Sequence, residues 1–383
     1  MNGQQSSQYS LPSRYSWQTQ HSLVRYGFIL LLLVALCVLA SCDAGYDTSG
    51  GSPSGTTQSG QPGMQNNVAA CVSASCAASS VQVFVEPDAG EAPVVDAIQQ
   101  ASSSVWVEVY LMTDSAVIQA LEDAAGRGVQ VRVLLEAHPY GSGSENPQQL
   151  LDELNAAGVQ AQASDPVYHY THEKGMIIDG KTAYIMTCNL TRSGLGGSSS
   201  TANREYGVID SNSDDVNEVK AIFNADWNHQ TPQLTVPRLV VSPVNARADT
   251  AALIASAHKS LLLEDEEMYD TQSEDALIAA AKRGVSVQVV LPAPSSSGSS
   301  NDSDVARLLA GGVQVRYITA PYMHAKLIIV DNTIAFTGSE NFSSTSLDEN
   351  RELGIVISDP NAISTFINVF GQDWAQAQDA SGS

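Results

Sequence analysis

Apolar positions along the chain change spacing in a regular alternation. Residues 81–85 and 105–111 are dense in Val, Phe, Trp and Leu, which predicts two strands. Between them Val94, Val95 and Ile98 recur at helical spacing over 93–101. Pro93 suits the first turn of that helix, where its missing N–H leaves no bond unmade. A second helix is predicted over 115–125 from Val117, Ile118 and Leu121, and Gly126 and Gly128 end it. A buried strand follows over 129–135, then a helix over 147–157 closed by Gly158.

The same order starts again at Leu239. Val240-Val241-Ser242-Pro243 repeats Phe84-Val85-Glu86-Pro87, and Arg283-Gly284-Val285 repeats Arg127-Gly128-Val129, both at an offset of 156. Phe223 and Trp227 return as Phe370 and Trp374, an offset of 147. Constant anchors with a shrinking offset describe one unit, duplicated and trimmed in its loops, with the junction at 233–237. Strands alternating with helices imply βαβ crossovers, so the predicted fold class is α/β with two duplicated lobes, 79–232 and 238–378, each built on a mixed or parallel sheet flanked by helices. The Gly/Ser-rich stretches 140–147, 193–201 and 293–302 read as solvated connections.

The N-terminus has a different texture. Arg14 and Arg25 precede an apolar run over 26–40 that ends in Leu39-Ala40-Ser41-Cys42. A basic region, a short apolar core and small residues before the cut predict a secretory leader over 1–41. Small residues ending on Cys resemble a bacterial lipobox, which implies lipidation of Cys42 and a membrane-anchored, extracytoplasmic protein. The run is short for a membrane span, which needs about 20 residues. Residues 42–78 are mostly Gly, Ser, Thr, Gln and Asn and are expected to form a flexible tether. Cys71 and Cys76 can pair there in an oxidising compartment, leaving Cys188 as a single buried thiol.

A formal net charge of −23 argues against nucleic acid as a partner, since binding phosphates requires Lys and Arg to displace their counterions. No Cys/His cluster has zinc-like spacing. What remains is a repeated polar island in an apolar run. His172-Glu173-Lys174 with Asp179 is matched by His324-Ala325-Lys326 with Asp331, 152 residues later. Each copy is followed by an Asn (Asn189, Asn341) and then by Asn-Arg-Glu, 203–205 and 350–352. In a strand, residues two apart face the same side, so each half presents an imidazole with an ammonium. Two such pairs converging about a pseudo-twofold suit a phosphodiester: cations and amides grip the non-bridging oxygens, one His attacks phosphorus, the other protonates the leaving oxygen. Histidine serves both tasks because it exists in both protonation states near neutral pH. Glu205 and Glu352 are the candidates for fixing the tautomers. Glu108 and Glu264, equivalent positions on presumed strands, read as solvated strand ends, with a site-lining role as the alternative.

These motifs resemble those of the phospholipase D superfamily, the HKD phosphodiesterases, over 81–374. The second half follows the pattern closely, with His324, Lys326, Asp331, Gly338-Ser339-Glu340-Asn341 and Asn350-Arg351-Glu352. The first half departs from it where Gly-Ser is expected, carrying Met186-Thr187-Cys188-Asn189. The resemblance implies two phospholipase D-like lobes about a pseudo-twofold and a two-step reaction through a phosphohistidine, with no metal or other cofactor. It casts His172 as nucleophile and His324 as general acid, with the exchanged assignment left open by the near-symmetry of the halves. Lys174, Lys326, Asn189 and Asn341 would hold phosphate oxygens, with Ser339 and Thr187 assisting; Asp179 and Asp331 would be structural.

For the substrate, the leader and acidic body favour a phospholipid, cleaved or transferred at its phosphatidyl group beside a membrane. A secreted endonuclease of the same superfamily is the second reading, set against only 18 Lys and Arg. A cardiolipin-synthase-like phosphatidyltransferase is the third, set against the two membrane spans such proteins usually carry. A non-catalytic envelope protein that kept the fold is the fourth. Oligomeric state is not encoded in any of these features.

Overall fold

The computed structural model describes residues 68–140, 146–197, 202–294 and 301–380. The leader, Cys42, most of the tether and parts of the three Gly/Ser-rich connections lie outside these residues. The first lobe runs β1 (Gln82–Glu86), α1 (Ala92–Gln100), β2 (Ser104–Val109), α2 (Ser115–Gly126), β3 (Gln130–Leu135), α3 (Pro147–Ala156), β4 (Gln160–Ala163), β5 (Lys174–Ile178), β6 (Thr182–Met186), β7 (Asn203–Asp210) and α4 (Ser213–Trp227). The second lobe repeats it as β8 (Leu239–Ser242), α5 (Ala246–Ala255), β9 (Ser260–Asp265), α6 (Thr271–Lys282), β10 (Ser286–Pro292), α7 (Asp302–Ala310) and β11 (Gln314–Ile318). It continues with β12 (Tyr322–Met323), β13 (Lys326–Val330), β14 (Ile334–Gly338), α8 (Ser344–Asp348), β15 (Glu352–Ile357), α9 (Pro360–Gln376) and β16 (Gln378–Asp379). The matched helices start and stop by matched chemistry. Asp114 and Asp270 cap α2 and α6 through their side chains, and Gly128 and Gly284 follow them at φ of 88° and 91°.

The sheet orders coincide: β1-β7-β6-β5-β2-β3-β4 in the first lobe, and β8-β15-β14-β13-β9-β10-β11 in the second with β16 on its edge. In each, three strands run parallel and the rest antiparallel, so the sheets are mixed. The strand bearing each Lys, β5 or β13, sits mid-sheet with neighbours on both sides. Two exchanges stitch the lobes together. Thr171 bridges Arg351, while Tyr322 and Met323 pair with Asn203 and Arg204. These are images of one contact, which places a pseudo-twofold between the sheets.

Three apolar cores result. One lies outside each sheet, and a central one mixes both lobes, with Ile177, Ile185, Ile222 and Phe223 against Leu327, Leu353, Phe366 and Phe370. That shared core holds the lobes as one body.

The chain around 71–78 departs from the tether expected there. Cys71 and Cys76 form a disulfide, Cys71 and Ala77 are buried in the outer core of the second lobe, and Ala78 bridges Ile357. The polar composition of 42–78, taken as a whole, hides a short apolar end that the disulfide closes into a compact loop.

Candidate active site

The pairing at the site is crossed between lobes. His172 Nδ1 lies 2.9 and 3.0 Å from the two carboxylate oxygens of Glu352, which belongs to the second lobe. His324 Nδ1 lies 2.8 Å from Oε1 of Glu205, which belongs to the first, in an ion-pair contact off the axis of a straight hydrogen bond. The crossing follows from the strand exchange: His172 N donates to Arg351 O at 2.8 Å, and His324 N to Arg204 O at 3.3 Å. A histidine hung beside the Asn-Arg-Glu segment of the other lobe meets that segment's glutamate. Neither half alone makes a histidine with its carboxylate.

Each glutamate is fully buried and braced. Asn350 Nδ2 and Ser346 Oγ donate to Glu352 Oε1 at 2.9 and 2.7 Å. Asn203 Nδ2 donates to Glu205 Oε1 at 3.0 Å, and Thr187 Oγ1 to Oε2 at 2.6 Å. Thr187 and Ser339, expected on the phosphate, have no exposed surface and serve the carboxylates instead. Thr187 also accepts from Tyr206 N, while Ser339 accepts from Leu353 N at 3.0 Å and bonds Glu352. Their side chains point back into the sheet, so Met186, which ends β6 in the outer core, replaces Gly338 without moving the hydroxyl from its task.

The two lysines are buried beside the imidazoles. Lys174 Nζ donates to His172 O, and Lys326 Nζ to His324 O at 2.6 Å. Burial lowers Lys174 to about 7, against the pull of Glu352. For Lys326 burial acts the same way, but Glu266 and Glu205 outweigh it and raise the ammonium. Burial also lowers His172 to about 4 despite Glu352, so its ring is neutral near pH 7. Its Nδ1–H then donates to Glu352 and Nε2 keeps a bare lone pair. The amide oxygens of Asn189 and Asn341 are buried without a hydrogen-bond partner among the described residues.

Asp179 and Asp331 sit at the far ends of β5 and β13 from the lysines, both at φ near 50°. Asp179 accepts from the backbone N–H groups of Ser102, Ser103 and Ser104 and from two of their hydroxyls. Asp331 accepts from those of His258, Lys259 and Ser260. They tie the start of β2 and β9 to the motif strand.

Glu108 and Glu264 are not solvated strand ends; both are fully buried. Arginines arriving from the opposite lobe explain this. Arg351 pairs with Asp226 of α4 at 2.9 Å, and Arg204 pairs with Asp373 of α9 at 2.6 Å. Glu264 accepts from Tyr206 Oη at 2.6 Å, and burial raises it to about 8. Glu108, Glu173 and Asp226 cluster within 4.8 Å around Arg351, and burial raises Glu173 to about 8, so it holds a proton near pH 7. The Asn-Arg-Glu triplet is thus one device: its Asn braces its own Glu, its Arg clamps a helix of the other lobe, and its Glu holds the other lobe's histidine. The sequence signal was the exact repetition of the triplet beside the matched Asp226-Trp227 and Asp373-Trp374. Glu266, whose place in the first half is taken by Tyr110, also reaches the site: its Oε2 is 3.4 Å from His324 Nε2 and 3.1 Å from Lys326 Nζ.

The family described as cardiolipin synthase, PLD-like domain, matches residues 94–227 and 251–374, one match per lobe. The chain belongs to the phospholipase D superfamily. It is 24% identical to the probable cardiolipin synthase YwiE of Bacillus subtilis, over 78% of this chain and 67% of that protein. It is 25% identical to the cardiolipin synthase of Halalkalibacterium halodurans, over 74% of this chain and 63% of that one. The chain therefore spans about two thirds of the length of these relatives. Among solved structures, the phosphatidylserine synthase of Haemophilus influenzae has the same fold, with a TM-score of 0.63 at 11% identity over 79% of this chain and 88% of that one. The polyphosphate kinase of Porphyromonas gingivalis also aligns at 0.63, at 16% identity over 79% and 49%. Superfamily membership carries phosphodiesterase or transferase chemistry as the activity class. Among the described residues no helix is long and apolar enough to cross a membrane.

Proposed function

We propose that this protein transfers the phosphatidyl group of a phospholipid to an alcohol, as a cardiolipin-synthase-like enzyme does, through a phosphohistidine on His172. The observation that carries the reading is the crossed pairing of the two histidines with Glu352 and Glu205. His172 Nε2 attacks phosphorus and forms a P–N bond as the P–O bond to the leaving alcohol breaks; His324 Nε2 gives that oxygen its proton. The phosphorylated ring is cationic, and Glu352 against Nδ1 compensates it. His324, now neutral, takes the proton of the acceptor hydroxyl, whose oxygen attacks phosphorus and releases His172. Lys174, Lys326, Asn189 and Asn341 bind the non-bridging oxygens.

The sequence alone favoured a phospholipid cleaved or transferred at its phosphatidyl group, with a cardiolipin-synthase-like phosphatidyltransferase as an alternative. Similarity to cardiolipin synthases along both lobes moves the emphasis to transfer. We also read the chain as extracytoplasmic and lipid-anchored at Cys42; the Cys71–Cys76 disulfide is in keeping with the oxidising compartment of that reading. The test is purified protein with vesicles of phosphatidylglycerol. Cardiolipin and free glycerol in equal amounts support transfer, phosphatidic acid alone assigns hydrolysis, and no lipid product removes the proposal.

A further inference from the structure

The two motifs are near images, yet one difference in their surroundings falls directly on the reacting groups. Residue 110 and residue 266 are equivalent, each next after the buried strand that flanks its motif strand. In the first lobe this is Tyr110, whose ring meets the His172 ring edge-on at 4.7 Å and lies 5.4 Å from Lys174 Nζ. In the second it is Glu266, whose Oε2 faces both His324 Nε2 and Lys326 Nζ. Those two nitrogens are the groups that must meet the reacting phosphate, so a carboxylate stands where an oxygen of the substrate belongs.

We propose that Glu266 is an internal stand-in for the substrate's phosphate, one that holds the place of a phosphate oxygen in the free protein and is displaced when the diester binds. This rests on the phosphoryl-transfer reading above. His324 has a carboxylate at each ring nitrogen, Glu205 on Nδ1 and Glu266 on Nε2. His172 has Glu352 on Nδ1 only, with the Tyr110 ring meeting it edge-on.

The charges around Glu266 are consistent with this. Lys326 and His324 face it from the second lobe, His172 acts on it from the first, and together they hold the carboxyl well below its usual range in spite of burial. From β12, Tyr322 Oη donates to Oε1 at 3.1 Å, and Glu267 is its acidic neighbour in the chain. Glu266 keeps about a fifth of its side chain exposed, which gives it a way out toward solvent. The incoming diester restores the negative charge beside His324 and Lys326 as the carboxylate leaves. Glu266 is in these terms a positioning residue.

The test needs no lipid. Glu266→Gln and Glu266→Asp are compared with the parent protein, after circular dichroism confirms folding, by calorimetric titration with inorganic phosphate at pH 6. Glu266→Gln is expected to bind phosphate about 10-fold more tightly, with Glu266→Asp in between. Unchanged or weaker phosphate affinity in folded Glu266→Gln overturns the proposal. Because no turnover is read, such a failure leaves the phosphatidyl-transfer reading standing, and a failed lipid assay leaves this result intact.

Discussion

Replacing Glu352 by Gln separates the two chemical half-steps. Glu352 is fully buried and touches His172 Nδ1 through both oxygens, at 2.9 and 3.0 Å. In the free protein it orients a neutral ring; after attack it faces a cationic phosphoimidazolium. Opposite unit charges about 4 Å apart at an effective dielectric near 20 interact by about 4 kcal/mol. A Gln retains a hydrogen bond of about 1 kcal/mol, leaving a loss of about 3 kcal/mol, or about 10²-fold in rate. The assay is rapid mixing with phosphatidyl-p-nitrophenol, whose leaving group departs without a proton. Glu352→Gln is expected to slow the p-nitrophenolate burst by about 10²-fold. Glu205→Gln, which loosens only the acid His324, is expected to keep the burst and to slow later turnover and reaction of phosphatidylglycerol. Equal damage to the burst from both variants would refute the division of labour, and the opposite pattern would exchange the two histidines.

Three further outcomes follow from the same geometry. His172 titrates near 4 and Lys174 near 7, so kcat/KM is expected to fall below about pH 4 as the nucleophile takes a proton, while KM rises above about pH 7 as Lys174 loses its charge; flat kinetics from pH 3 to 9 would contradict both. Glu173 is raised to about 8, so its buried neutral form favours the folded state below the unfolded carboxyl's pKa near 4.5, and that contribution is lost as pH rises through 8. Glu173→Gln is expected to flatten the decline in Tm between pH 5 and 9, and a parallel decline would count against a protonated Glu173. Asp179→Asn removes the charge that gathers the N–H groups of Ser102, Ser103 and Ser104, at an expected cost of about 2 kcal/mol in urea denaturation with KM unchanged. A change in KM without one in stability would place Asp179 in the substrate's path.

The lobes, their element order and the side chains that converge between them were legible because they depend on local pattern and on repetition. Alternation at 129–135 and helical spacing at 115–125 are set by what each segment must bury, and the structure places β3 and α2 within a residue of those ranges. Partnership across the lobes was hidden. Nothing in the spacing of His172, Glu205, His324 and Glu352 states that the histidine of one half takes the glutamate of the other, because that follows from the strand exchange at Thr171 and Tyr322. The same reason concealed Arg204 and Arg351, whose counter-charges lie on helices of the opposite lobe. Glu108 and Glu264 looked solvated for want of those arginines. Glu266 was one of four consecutive acids and carried no mark of its own until the fold turned it onto Lys326.

Thr187 and Ser339 teach a related point about motifs. A hydroxyl next to a phosphate-binding Asn reads as another phosphate ligand. Both hydroxyls are instead buried just past the ends of β6 and β14, where Thr187 donates to Glu205 and Ser339 bonds Glu352. Aligning each histidine therefore takes groups from both lobes.

The account turns on which nitrogen carries phosphorus. Acid quench is avoided because phosphoramidates hydrolyse there; instead, His324→Ala protein is mixed with phosphatidyl-p-nitrophenol, stopped in alkali and digested for peptide mass spectrometry. A phosphatidyl adduct on the peptide holding His172, absent from His172→Ala, is the expected result. An adduct on His324 in the His172→Ala protein, or none on either histidine while p-nitrophenolate is still released, would contradict the mechanism.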